Sequence, residues 1–178
     1  MSEDSLRRAK RPRSILAGPY GHPVHALLIT LPIGAWTASI VFDLLNFVVV
    51  DDAAAFATGA QWLIGIGLVG AGLAAVAGFL DLSVLGRGTR ARAIAIVHAV
   101  INGVTALLFF SSLLLRVDEA AVPVAAFVLS VIAIALLSLS GVLGGELTYR
   151  YGVRVADEST QRPAYVPGDG RLGRARRR

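Results

Sequence analysis

Gly21-His22-Pro23-Val24-His25-Ala26-Leu27-Leu28-Ile29-Thr30-Leu31-Pro32 sets two histidines at the mouth of an apolar run that continues to Val50. A helix needs about 20 mostly apolar residues to cross the hydrocarbon core of a bilayer, and this run exceeds that. Arg7, Arg8, Lys10, Arg11 and Arg13 precede it, as in a secretory signal. The run is too long for a signal's apolar region, however, and no small-x-small cleavage site closes it. Residues 1–20 are therefore expected to be a retained basic cytoplasmic arm.

Outward from this stretch the pattern recurs three times. Apolar blocks at about 24–50, 54–80, 93–115 and 121–148 are separated by Asp51-Asp52, by a basic turn from Gly86 to Arg92, and by Arg116-Val117-Asp118-Glu119. Hydrophobic residues make up 55% of the 178 and charged residues 16%, against about 25% charged in soluble domains. The charge is confined to the seams, which is how a membrane bundle distributes it. The expected fold is all-α: a four-helix transmembrane bundle over residues 21–153, followed by a disordered basic tail, 154–178. Pro32 should kink the first span. Gly70, Ala74 and Gly78 in the second, with Ser138, Gly141 and Gly145 in the fourth, form small faces that let helices approach closely in lipid.

Lysine and arginine set the orientation. The amino-terminal arm carries 5, the second link 3 and the segment from Arg150 onward 8, whereas the opposite side has only Arg116. The positive-inside rule puts both termini in the cytoplasm, as a multi-pass protein of the cell's inner membrane.

Several functions are excluded. Without cysteine there are no disulfides, thiolate metal sites or cysteine nucleophiles. The net charge of +5 comes from the termini, and no aromatic residues interleave with the last arginines, so the basic tail faces anionic lipid rather than nucleic acid. Gly65-Ile66-Gly67-Leu68-Val69-Gly70 matches the dinucleotide-binding pattern literally, but inside a spanning helix with no strand before it. There is no serine nucleophile elbow, and no catalytic residue is assigned.

The interior polar residues fall on two stripes. His98, Asn102, Thr105, Phe109, Ser112 and Arg116 step by four and three along the third span. His25, Ile29, Pro32, Trp36, Ser39, Asp43 and Asn46 do the same along the first. Such spacing marks one helix face, and polar groups in lipid turn inward. Facing stripes set His25 opposite His98 at one end and Asp43 opposite Arg116 at the other, the latter read as a structural ion pair or, alternatively, part of a conducting path. Asp81 is expected to answer Arg87 or Arg90, and Glu146 to pair with Arg150 four residues on.

The histidines carry the sharper expectations. A b-type haem takes one histidine from each of two neighbouring helices. His25 and His98 are the natural pair, with His22 in reserve. Counting inward from the last basic residue sets His98 deeper than His25 by roughly 6 Å, an offset the bundle would have to absorb. A metal ion held by His22, His25, Asp81, His98 or Glu146 is a second expectation, although no two histidines stand four apart. The plain alternative is that the histidines bond Asp81, Glu146 or backbone carbonyls and hold the mouth together.

Gly-His-Pro-x-His, then Pro32 and Asp43, Gly78 and Asp81, His98 with Asn102, Gly144-Gly145-Glu146 and Tyr149 to Val153 together resemble a bacterial membrane family known as domain of unknown function 2231. The likeness covers about residues 18–155 and implies a four-helix inner-membrane protein. Some members of that family are joined to Rieske-type iron–sulfur modules, so the resemblance implies a redox setting; this chain has no cysteine with which to build one. Three classes of function follow: an electron-transfer-associated subunit with a membrane redox partner, a small transporter or proton-conducting bundle, and a structural or assembly subunit without ligand.

Overall fold

Each apolar block becomes a long helix in the computed structural model, which describes residues 3–11, 18, 22–49, 51–117 and 119–162. A short amino-terminal helix, α1 (Glu3–Lys10), precedes the first span, which is α2 (Val24–Leu28) followed by α3 (Thr30–Val48). The break at Ile29 has a local cause: Pro32 has no N–H to offer the carbonyl of Leu28. Then come α4 (Ala53–Ser83), α5 (Arg90–Leu114) and α6 (Val124–Gly145). A π-helical turn, Glu146–Arg150, prolongs α6, and a last short helix, α7, covers Glu158–Gln161. Four helices are thus long and apolar enough to cross a membrane, and the described residues contain no strand.

Their ends follow local chemistry. The Thr89 hydroxyl accepts from the Arg92 amide and caps α5. Pro123 stands just before α6, where no N–H is needed. Val50 and Asp118, expected at span ends, lie outside the described residues, as do residues 163–178 of the tail expected to be disordered. Residues 154–162 of that tail are described, and they are joined to α1 through Arg154 N–H to the Ala9 carbonyl and Lys10 to Asp157 at 3.4 Å.

The helices pack in the cyclic order α3, α4, α5, α6, so α3 and α5 face each other diagonally across the bundle axis. Their outward faces are apolar: Leu27, Trp62, Val69, Val76, Leu107, Val124 and Val142 are all exposed. Lipid, not water, suits such a surface.

One register governs the interior. His25 meets His98, Trp36 stacks on Phe109 with centroids 4.3 Å apart, and Asp43 pairs with Arg116. Every pair is separated by 73 residues. Ser39 and Ser112, both fully buried, share the same separation. The partner helices repeat at 66: Ala60 with Ala126, Ile64 with Ser130, Gly67 with Ala133 and Ala74 with Ser140, all buried. The bundle is therefore two helical hairpins, α2–α4 and α5–α6, related by a pseudo-two-fold along the helices, the parallel kind of internal repeat. Gly67 shows how close the packing is, since a Cβ there would collide with the Trp36 indole, whose N–H donates to the Ile64 carbonyl at 3.3 Å.

Candidate functional site

At one end of the axis His25 and His98 lie with ring centroids 6.5 Å apart and planes crossing at 84°. The offset in depth expected from the sequence is absent. The reason is that α5 begins at Arg90, inside the basic turn, so its first two turns stand beyond the start of α2. Arg92 belongs to that helix: its guanidinium donates to the carbonyls of Leu82 and Leu85 and caps α4. Counting from the last basic residue therefore misjudges depth.

Each histidine sits in the same kind of cradle. His25 Nδ1 is 2.8 Å from the Ala74 carbonyl, and its ring lies against Gly78, one turn further along α4. His98 Nδ1 is 2.9 Å from the Ser140 carbonyl, with its ring against Gly144, one turn further along α6. A carbonyl only accepts, so each Nδ1 carries the proton and each Nε2 keeps its lone pair. The glycines are needed: a Cβ at residue 78 would sit 3.1 Å from the His25 ring, and one at residue 144 would sit 3.2 Å from the His98 ring. Neither carbonyl nor either glycine's role could be read from the chain, because both depend on which helix lies alongside.

The two sides differ in two respects: Ser140 Oγ stands 2.8 Å from His98 Nδ1, where Ala74 has no hydroxyl to offer His25, and His98 alone has an amide beside its Nε2. Asn102 Nδ2 lies 2.7 Å from Ser140 Oγ, 2.9 Å from the His98 carbonyl and 3.1 Å from His98 Nε2. An amide has two hydrogens, so these three acceptors compete and the Nε2 contact is the longest. The pseudo-symmetric position beside His25 is Ile29, which has no donor. One turn deeper, Thr105 is fully buried and its hydroxyl has no hydrogen-bond partner.

The other predicted residues fall elsewhere. Asp81 pairs not with Arg87 or Arg90 but with Arg154, whose Nε is 3.2 Å from Oδ1. Arg154 also donates to the His22 carbonyl at 3.2 Å and holds a left-handed backbone, φ 63°, which is uncommon for a non-glycine. It thereby fastens the post-bundle segment to the histidine loop and to α4. Nothing in the order of residues signals this return, since Arg154 looks like one more tail arginine. Glu146 accepts from Arg150 at 3.3 Å and from the Tyr151 hydroxyl at 3.2 Å. His22 is exposed. Among the described residues no three of His, Asp and Glu come together as a metal-holding group.

At the far end Asp43 and Arg116 are completely buried. The guanidinium reaches the carboxylate through both terminal nitrogens, Nη2 to Oδ2 at 2.7 Å, and donates to Ser112 and Ser130 at 3.2 Å. Beside it Asn46 joins two turns, donating to the Ala53 carbonyl and accepting from the Val122 amide. Ion pair and stacked rings together fill the axis.

A family model described as "Predicted membrane protein (DUF2231)" matches residues 21–157. No curated protein and no solved structure matches the chain.

Proposed function

Since this chain belongs to the DUF2231 family of predicted membrane proteins, we propose that within that family it is an electron-transfer subunit that holds one b-type haem between His25 and His98. The duplicated cradle is the observation that carries this reading. Both Nδ1 protons are committed to backbone carbonyls, the arrangement that orients and strengthens a metal-ligating imidazole. Two imidazoles sharing one metal at about 2 Å from each nitrogen have centroids about 6 Å apart, and these stand 6.5 Å apart.

The residues present fit the group. Gly78 and Gly144 let each imidazole lie directly against the neighbouring helix, where a Cβ would press on the ring. Bound there, haem supplies one-electron chemistry. The protein's part is to fix both imidazoles, exclude water and set the local polarity. With the histidine end in the cytoplasm, as the arginine distribution favours, the electron partner docks on the inner side of a bacterial cell membrane. A conducting path along the axis fits less well, because Trp36, Phe109, Asp43 and Arg116 fill it.

The absorption spectrum of protein purified in detergent from haem-replete cells tests this. The expected result is a strong Soret band with sharp bands on reduction by dithionite. A colourless preparation would contradict the reading and leave the histidines as packing elements.

A further inference from the structure

One arginine bridges the histidine end of the bundle. Ala74, Gly78 and Asp81 step by four and three along one face of α4, and His25 meets the first two. Asp81 therefore stands about one turn outward of the His25 ring. Its counterpart across the pseudo-two-fold is Leu147, so the α4 side offers a charge where the α6 side offers none. Arg154 answers that charge with Nε at 3.2 Å from Asp81 Oδ1, and the same guanidinium donates to the carbonyl of His22, three residues before His25. The side chain of Arg154 is 6% exposed and that of Asp81 13%. Gly18 packs against this bridge, where a Cβ would collide with both the guanidinium and the His22 carbonyl.

The segment that delivers the arginine is held by separable contacts. Gly152 and Arg154 both have left-handed backbone, φ 66° and 63°, directly after the π-helical turn that prolongs α6. A glycine adopts this freely and an arginine only under strain, and strained residues collect at clamps and switches. The segment is fastened to α1 through the Arg154 N–H on the Ala9 carbonyl and through Lys10 on Asp157. Val153 is its apolar anchor, packed with Ala9, Leu85 and Leu147. Such polar clips, with strain relieved as they part, let a closure open while the spans stay folded.

We propose that residues 150–157 and α1 form a gate over the histidine pair, with Arg154 as its latch. Parting Arg154 from Asp81 opens the pair to water-soluble molecules from that end. The proposal concerns reach to the imidazoles and does not depend on what lies between them.

The chain has no cysteine, so one introduced thiol reports access. Ser140→Cys puts it beside His98, at a position 1% exposed. The detergent-purified full chain is reacted with a cationic, membrane-impermeant methanethiosulfonate, and intact mass gives the rate. In this background the thiol should label slowly with Arg154 in place. It should label at least about tenfold faster with Arg154→Gln or Asp81→Asn, since a hydrogen bond between charged groups biases an equilibrium by that much. Glu146→Gln, which breaks the nearby pair with Arg150, should leave the rate unchanged. Should neither latch variant purify, Asp157→Asn, which removes only the clip to Lys10, carries the test with a several-fold rise. A thiol that labels rapidly with the latch closed, latch variants that label no faster, or a Glu146→Gln that labels as fast as they do overturns the proposal. The haem reading is judged by colour, and none of these rates bears on it.

Discussion

His98→Ala is expected to abolish haem retention, with at least a tenfold fall in Soret absorbance per mole of protein, while the variant still purifies as a folded membrane protein. The physical grounds are local. His98 contributes a ring held by one carbonyl and flanked by a glycine, and the half-buried ring takes no part in the buried core about Trp36, Ile64, Phe109 and Ala133. Its loss removes one of the two nitrogens that would hold the haem and leaves a small void, costing on the order of 2 kcal/mol, well within what a domain survives. Gly144→Leu should give the same spectrum with both histidines intact, because its side chain displaces the His98 ring from the Ser140 carbonyl. Haem content and thermal unfolding of the two variants separate the explanations. If both keep a full Soret band, the cradle does not hold the group.

Arg116→Met should have the largest effect on stability. It leaves the Asp43 carboxylate at 0% exposure without its guanidinium, and deprives the Ser112 and Ser130 hydroxyls of a donor. Breaking a buried pair from one side costs about 3–5 kcal/mol, which is a large fraction of an ordinary domain's stability. Asp43→Leu combined with Arg116→Met should recover most of the loss, since no charge then remains in the bilayer. The exchanged pair, Asp43→Arg with Arg116→Asp, should recover less. The reason lies in the pseudo-symmetry: the counterpart of Ser130 is Ile64, so a guanidinium on α3 finds no hydroxyl from α4. Thermal unfolding in one detergent, with all four proteins side by side, measures the order. A single Arg116→Met as stable as the parent would contradict the account of this end.

The four spans are written in the charge pattern, because lipid tolerates no unpaired charge and each seam shows as a break. The inward faces are written nearly as plainly: the stepping of His25, Trp36, Ser39 and Asp43, and of His98, Phe109, Ser112 and Arg116, leaves one face each. What those two stripes did not disclose is that they are the same stripe. Trp36 against Phe109, Pro32 against Thr105 and Asp43 against Arg116 preserve position and not identity, and only the histidines and serines repeat. The cradles were hidden for another reason. Carbonyls carry no sequence signature, and Gly78 and Gly144 look like any small residue in a membrane helix until the ring beside each is known. Nearness along the chain favours Arg87 and Arg90 as partners of Asp81, whereas the arginine that pairs with it, Arg154, comes back from beyond the bundle.

Electron paramagnetic resonance of the oxidised, purified protein puts the duplicated histidine cradle to its most direct test. Two neutral imidazoles on one iron with planes crossing at 84° predict a strongly anisotropic low-spin signal, at one haem per chain, that disappears in both His25→Ala and His98→Ala. A signal of ordinary high-spin ferric haem in the parent, or a low-spin signal that survives either substitution, would contradict it.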